Sequence, residues 1–309
     1  MHSRGDPVRP GEFSYVWSGT DNSGSIVPSE SYAVRIRLAS SAGDDIYDPL
    51  NGFHPVYESP EKFSYSRQTG TLSYQLSRNS RVHYQVGVSW TDPKTKRVDA
   101  AVMRTIVDRE PRGAGSVVEA WNGFDKSGTI YIPDLQNFFI SILAESLPEN
   151  SIIVSGSSGS FRDYALTHRP KETLKPTKSE GDHMHHAGLT ALGDHSPEIS
   201  LTPVDAVWNG KARRWELKGQ LKLEVSLDAT STPFFLAQPT EVQTYVDGRL
   251  VKHSPEKKSP CEVIVPSQEI GAGEHLVTVD WVSKYGPVGA QTIRTWSVET
   301  ASNKSEGSK

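Results

Sequence analysis

Cysteine is nearly absent from this sequence: Cys261 is the single one in 309 residues. An internal disulfide is therefore excluded, and packing must hold the chain together. Long hydrophobic runs are missing too. No apolar stretch approaches the roughly 18 residues that span a bilayer, and Met1 to Gly11 is polar, without the apolar centre of a signal peptide. No transmembrane segment is expected, and if the protein is exported, either its leader has been removed or the sequence begins downstream of it. Charge of one sign is scarce, with 33 Lys and Arg against 37 Asp and Glu and a formal net charge of −4. Such a balance supplies no field for holding nucleic acid, which is set aside as a partner. Nucleophile elbow, P-loop and dinucleotide fingerprint are all lacking, and Gly156-Ser-Ser-Gly-Ser160, with neither a following helix nor a Lys to make it a phosphate cradle, reads as linker.

What is present is turn chemistry. Gly (25) and Pro (20) are frequent and break the chain into short runs, the profile of many strands joined by tight turns. A length of 309 residues suits two to three domains of about 100 residues each. Residues 12–38 align with residues 116–143, with Trp17, Gly19, Asp21, Ser23 and Gly24 matching Trp121, Gly123, Asp125, Ser127 and Gly128 at a spacing of 104. Pro28 then matches Pro133, and the alternating Tyr32, Val34, Ile36 match Phe138, Ile140, Ile142. Each copy of W-x-G-x-D-x-S-G predicts a hairpin: a strand ending at the Trp, a turn in which Gly supplies positive φ and Asp accepts main-chain N–H groups, then an alternating strand. The Trp should cap one end of a core. As a calcium loop the spacing offers too few oxygens.

Upstream of the second copy, strands are expected at Thr71 to Leu76, Val82 to Trp90 and Val102 to Val107, with polar turns between them. The order T-x-S-Y-x-L, V-x-x-x-V, R-T, A-G and then W-x-G-x-D-x-S-G resembles the immunoglobulin-like domain of the flagellar hook-capping protein, a module similar to ones strung along many secreted bacterial proteins. The matching positions are Thr71, Ser73, Tyr74, Leu76, Val82, Val86, Arg104, Thr105, Ala114, Gly115, Trp121, Gly123, Asp125 and Gly128. The sequence departs from that family after Gly128, where Gln136-Asn137-Phe138 replaces the usual Gly-x-Tyr entry to the last strand. The resemblance covers residues 60–155, and residues 10–40 only for the closing hairpin. It implies a sandwich fold and an extracytoplasmic setting, and it carries no catalytic residues.

The expected fold class is all-β: tandem immunoglobulin-like β-sandwich modules joined by a Ser/Gly/Lys/Pro-rich linker. The divisions are a partial module at 1–59, a full one at 60–155, a linker with a His-rich loop at 156–196, a C-terminal sandwich at 197–300 and a disordered tail at 301–309. The partial module lacks its early strands and should have open edges that pair with a neighbour. In the C-terminal section, strands are expected at Glu198 to Thr202, Leu217 to Leu227, Glu241 to Val246, Cys261 to Val265, His275 to Val282 and Thr292 to Val298, with a hairpin turn at Asp247-Gly248.

Three features bear on chemistry. Residues 181–197 gather His183, His185, His186 and His195 beside Asp182, Asp194 and Met184, ligands that suit copper or zinc, although H-x-H-H is no structural zinc spacing. Trp208, Trp215, Trp281 and Trp296 fall at strand positions, where core packing competes with glycan binding. Cys261 has no basic neighbour and reads as a small buried hydrophobe. No catalytic residue and no cofactor are expected. The leading reading is a structural or binding subunit that bridges other proteins of a bacterial envelope or membrane complex, periplasmic or extracellular. The alternatives are a copper- or zinc-binding periplasmic protein and a carbohydrate-binding accessory module.

Overall fold

The computed structural model describes residues 14–49, 51–60, 62–168, 196–237, 239–283 and 288–297. After the first tryptophan turn come β1 (Glu30–Tyr32), β2 (Ile36–Ser40) and β3 (Gly43–Tyr47), of which β2 and β3 form a two-stranded hairpin with every residue exposed. Residues 14–16, the described ones before Trp17, are not in a strand, and the rest of the predicted incoming strand lies outside the described residues.

The next strands are β4 (Tyr57–Glu58), β5 (Phe63–Ser66), β6 (Thr71–Leu76), β7 (Ser80–Thr91), β8 (Val98–Arg112), β9 (Gly115–Ala120), β10 (Phe138–Ser146) and β11 (Ile152–Val154). They build a sandwich of a three-stranded sheet, β5-β6-β9, and a four-stranded sheet, β4-β10-β7-β8. Alternation places the apolar side chains inward: Leu72, Tyr74 and Leu76 from one sheet meet Val82, Tyr84, Val86 and Met103 from the other. β4 precedes position 60 yet pairs with β10, so the sandwich starts earlier than the family resemblance marks it. β11 leaves the sandwich and pairs with β1 instead.

The expectation that Gly156–Ser160 opens a linker with no helix after it is corrected: a helix, α1 (Phe161–His168), follows directly within the 156–196 stretch. Ser160 starts it: its hydroxyl accepts the Asp163 N–H at 3.2 Å.

The C-terminal section comprises β12 (Ile199–Asn209), β13 (Arg214–Leu227), a short helix α2 (Thr232–Phe235), β14 (Thr240–Val246), β15 (Arg249–Glu256), β16 (Cys261–Val265), α3 (Ser267–Ile270), β17 (Gly273–Ser283) and β18 (Val288–Ser297). β13 belongs to two sheets. Its residues Leu221–Val225 pair with β16, while Trp215–Leu217 run parallel to β18. The crossing happens at Gly219, with φ +148, opposite a break in register between Val204 and Ala206 of β12. A glycine and a bulge at one corner let a strand turn from one layer to the other. The layers are then β12-β13-β16 against β18-β17-β14-β15, the strand order of an immunoglobulin-like sandwich. Leu221, Leu223, Val225, Val263, Val277 and Trp281 fill its core.

Candidate functional site

The two tryptophan turns share their main hydrogen bonds, with one more N–H donor on the aspartate of the second. Trp17 Nε1 donates to the Thr20 carbonyl at 2.7 Å, and Trp121 Nε1 to the Phe124 carbonyl at 2.9 Å. Asp21 accepts the N–H groups of Ser23 and Ser25, and Asp125 those of Ser127, Thr129 and Ile130. Gly19 and Gly123 have φ of +75 and +85 and give their carbonyls to Val27 and Ile132. These bonds explain the residue choices: an aspartate bonded to consecutive main-chain donors holds a loop that neither sheet could hold.

Their surroundings differ. Trp121 is buried against Tyr65 and Phe138 inside the middle sandwich. Trp17 is half-buried and has Tyr32 at 5.3 Å, with Phe161 of α1 next to Tyr32 at 6.2 Å. A helix thus supplies the third ring that β5 supplies in the second copy. α1 also brings Tyr164 Oη to 3.4 Å and His168 Nε2 to 3.7 Å from the Asp21 carboxylate. The Ser23 hydroxyl, with further hydrogen bonds from Ser25 and Tyr164, holds that carboxyl below its ordinary value. Glu30 of β1, itself buried, pairs with Arg81 at 2.8 Å, and this anchors the first turn to the middle sandwich.

A second constellation, which sequence reasoning missed, is the seam between the sandwiches. β8 packs against β15, β17 and β18. Asp99 of β8 accepts the Leu250 N–H at 3.1 Å, and Asp280 of β17 accepts the Val102 N–H at 3.0 Å. Each side thereby offers a carboxylate to the other's backbone. Tyr245 of β14 joins the core of the middle sandwich, with Leu250 and Leu276 packed beside it. The Asp247-Gly248 turn, found where the sequence predicted it, lies so close that a Cβ on Gly248 would stand 3.2 Å from the Ser89 backbone. Asp108 closes the end of the seam, accepting the Ser196 N–H at 2.6 Å. Asp280 is fully buried, and burial raises its carboxyl well above the ordinary value against the opposing effect of the Val102 bond. Nothing local marks Asp280 in V-T-V-D-W, because its partner is far away in sequence.

The other predicted residues separate. His183, His185, His186 and His195 lie outside the described residues. Among the described residues, no group of three or more His, Cys, Asp or Glu side chains is placed to hold a metal ion. Cys261 is buried in the C-terminal core, and burial pushes its thiol up to about 12, as expected of a packing residue. The tryptophans form no row: Trp281 is 0% exposed, Trp296 is covered by the Arg214 guanidinium at 4.2 Å, and Trp208 alone is exposed, tilted against half-buried Trp215. That corrects the glycan reading of Trp281, which is core. No described helix is long and apolar enough to cross a membrane.

No family model and no curated protein matches this chain. Among solved structures it is similar to the fibronectin(III)-like modules of CbhA from Clostridium thermocellum, at 10% identity over 78% of this chain and 94% of that one, with a TM-score of 0.24. It is also similar to the extracellular domain of a hybrid two-component system from B. thetaiotaomicron (10% identity, 85% of this chain, 30% of that one, TM-score 0.24). A third is a membrane-anchored protein from Corynebacterium diphtheriae (9% identity, 90% of this chain, 61% of that one, TM-score 0.23). Likeness of this degree decides nothing about function, and the architecture stands on the strand pairing and cores described above.

Proposed function

We propose that this protein is a non-catalytic structural subunit that bridges other proteins of a bacterial cell-envelope assembly, outside the cytoplasm. The observation that carries this reading is the contrast between its parts. Two sandwiches bury their inner faces and lock together through the seam, whereas the β2–β3 hairpin leaves Ile36, Leu38, Ile46 and Tyr47 each close to half exposed. Apolar side chains clustered on one exposed hairpin mark an interaction surface. The extracytoplasmic setting, and the kinship with the hook-capping module, rest on the sequence pattern around Trp121.

The test is site-specific photo-crosslinking in the producing cells, with the reactive residue placed in turn at Leu38, Val118 and Val207, all exposed. A discrete adduct with an envelope protein, identified by mass spectrometry, is expected from at least one position. Absence of any adduct from all three would sink the bridging role.

A further inference from the structure

Among the described residues, no cation pairs with the carboxyl buried in the seam. Asp280 of β17 is 2% exposed; its Oδ2 accepts the Val102 N–H of β8 at 3.0 Å, and its Oδ1 has no partner. Gln243 of β14 and Ala290 of β18 stand opposite it in the sheet, and neither carries charge. An ionised carboxylate in that place would be buried and half-bonded, so the closed seam favours the protonated acid.

The charged groups of the surrounding strands are committed elsewhere or would repel it. On β8, Arg97 is bound to Asp99 and Arg104 to the carbonyls of Phe124 and Asp125, while Asp108 lies between Ser196 and His83. On β15, Arg249 is bound to Glu269, Lys252 to the Ile264 carbonyl, and His253 lies 3.9 Å from Glu241 of β14. Arg294 of β18 is bound to Glu274 of β17, and His275 to Asp247. Burial, and then the charges of Asp280, Asp99 and Glu241, push the Tyr245 phenol above its ordinary value. A charge on Asp280 would therefore join two other carboxylates around one buried hydroxyl.

We propose that the seam is a proton-operated joint: it stays closed while Asp280 carries a proton, and loss of that proton parts β15, β17 and β18 from β8 while each sandwich keeps its fold. The sandwiches can part because each holds its own ladders: β8 is paired with β7 from Val98 to Arg112, and β17 lies between β14 and β18. Two backbone N–H groups cross the seam to carboxylates, Val102 to Asp280 and Leu250 to Asp99, and water can replace both acceptors. Parting hydrates both acids and uncovers Tyr245, Leu250 and Leu276. The direction follows from linkage. The closed form holds the proton more tightly, so opening grows by up to about tenfold per pH unit above the ordinary carboxylate value of 3.8, until the closed form is ionised too. The joint does not depend on the bridging role proposed above.

Residue-resolved amide exchange of the full chain from about pH 5 to 8, corrected for the intrinsic base-catalysed rate, tests it. Val102 and Leu250 should be at least about tenfold less protected than Val86 and Leu223, which lie in the two separate cores, and their protection should fall as pH rises. Asp280→Asn keeps an oxygen for Val102 and has no proton to lose, so protection at Val102 and Leu250 should stay level across the range. His253→Gln removes the imidazole beside Glu241 and should leave the parent's pH dependence intact. Equal protection at all four amides would overturn the proposal, since the seam would then open only by unfolding. Protection at Val102 and Leu250 that does not change with pH in the parent would overturn it as well, and that titration decides the matter without any variant. A pH dependence that survives Asp280→Asn, or that His253→Gln abolishes, would assign the effect to another group and sink the joint.

Discussion

The two turns form a natural experiment in which one residue meets two environments. Gly19 and Gly123 have nearly the same positive φ, but a Cβ on Gly19 would find open space, whereas one on Gly123 would stand 2.1 Å from Cε2 of Tyr131. Gly19→Ala should therefore show only the backbone cost of a left-handed residue, about 1–2 kcal/mol. Gly123→Ala adds a collision with a ring and should lower the urea midpoint of the middle sandwich clearly further. Equal losses in the two variants would refute this account. Asp125 is buried and serves three N–H donors, so Asp125→Ala strands them, and a loss of about 2 kcal/mol is expected by urea denaturation. At the first turn the sign with pH is fixed by the lowered Asp21 carboxyl. Its bonds support the turn above the ordinary carboxylate value and are lost as pH falls through the lowered one, which amide exchange at residues 19–27 would show. All these roles were legible in the sequence, because an Asp serving N–H groups a few residues onward is a local device. Which copy would be buried was not, since the three-ring clusters draw on Tyr65 in one case and Phe161 in the other.

Single elements show the same division between local and distant causes. β6 and β16 run from Thr71 to Leu76 and Cys261 to Val265, the spans that alternation alone marks out. β8 extends well beyond Val102 to Val107, to Val98 and Arg112, because its start is lined by the other sandwich, which no window of sequence displays. At the departure Gln136-Asn137-Phe138 it is the central Asn137, not Gln136 at the family's glycine position, that adopts a left-handed backbone, φ +59, which Asn tolerates better than most residues. α1 was readable in principle, since Ser160-x-x-Asp163 is a helix-start pattern that the surrounding Ser and Gly obscured. A helix of eight residues is marginal alone and depends on its docking face. Phe161→Ala removes the ring against Tyr32. Faster amide exchange across residues 161–168 and 30–32 is expected, with the main unfolding transition unmoved; unchanged exchange in the helix would show that Phe161 does not hold it.

At the scale of the molecule, the seam decides whether the two sandwiches behave as one body or as beads on a string. Reciprocal carboxylate-to-backbone bonds and a tyrosine of β14 buried in the middle sandwich's core favour one body, and the buried Asp280 makes that body sensitive to pH. Only one of its oxygens has a partner among the described residues, the Val102 N–H, and the seam's other carboxylate bonded across to the opposite backbone, Asp99, is tied to Arg97 and Leu250. With its carboxyl raised in the folded state, the folded protein holds the proton more tightly than the unfolded chain. Stability is therefore highest below the ordinary carboxylate value of 3.8 as far as this group is concerned. It declines by up to about 1.4 kcal/mol per pH unit as pH rises towards the raised value, and then levels off. Asp280→Asn keeps a carbonyl oxygen for Val102 and carries no charge at any pH. The expected outcome is a variant more stable than the parent at neutral pH, with the slope attributable to this residue gone from urea midpoints measured across pH 4–8. A parent and variant with parallel pH profiles would mean that Asp280 is ionised in the closed seam. Two separate transitions in the parent, moved independently by substitutions at Leu223 and Val86, would mean that the seam does not couple the sandwiches.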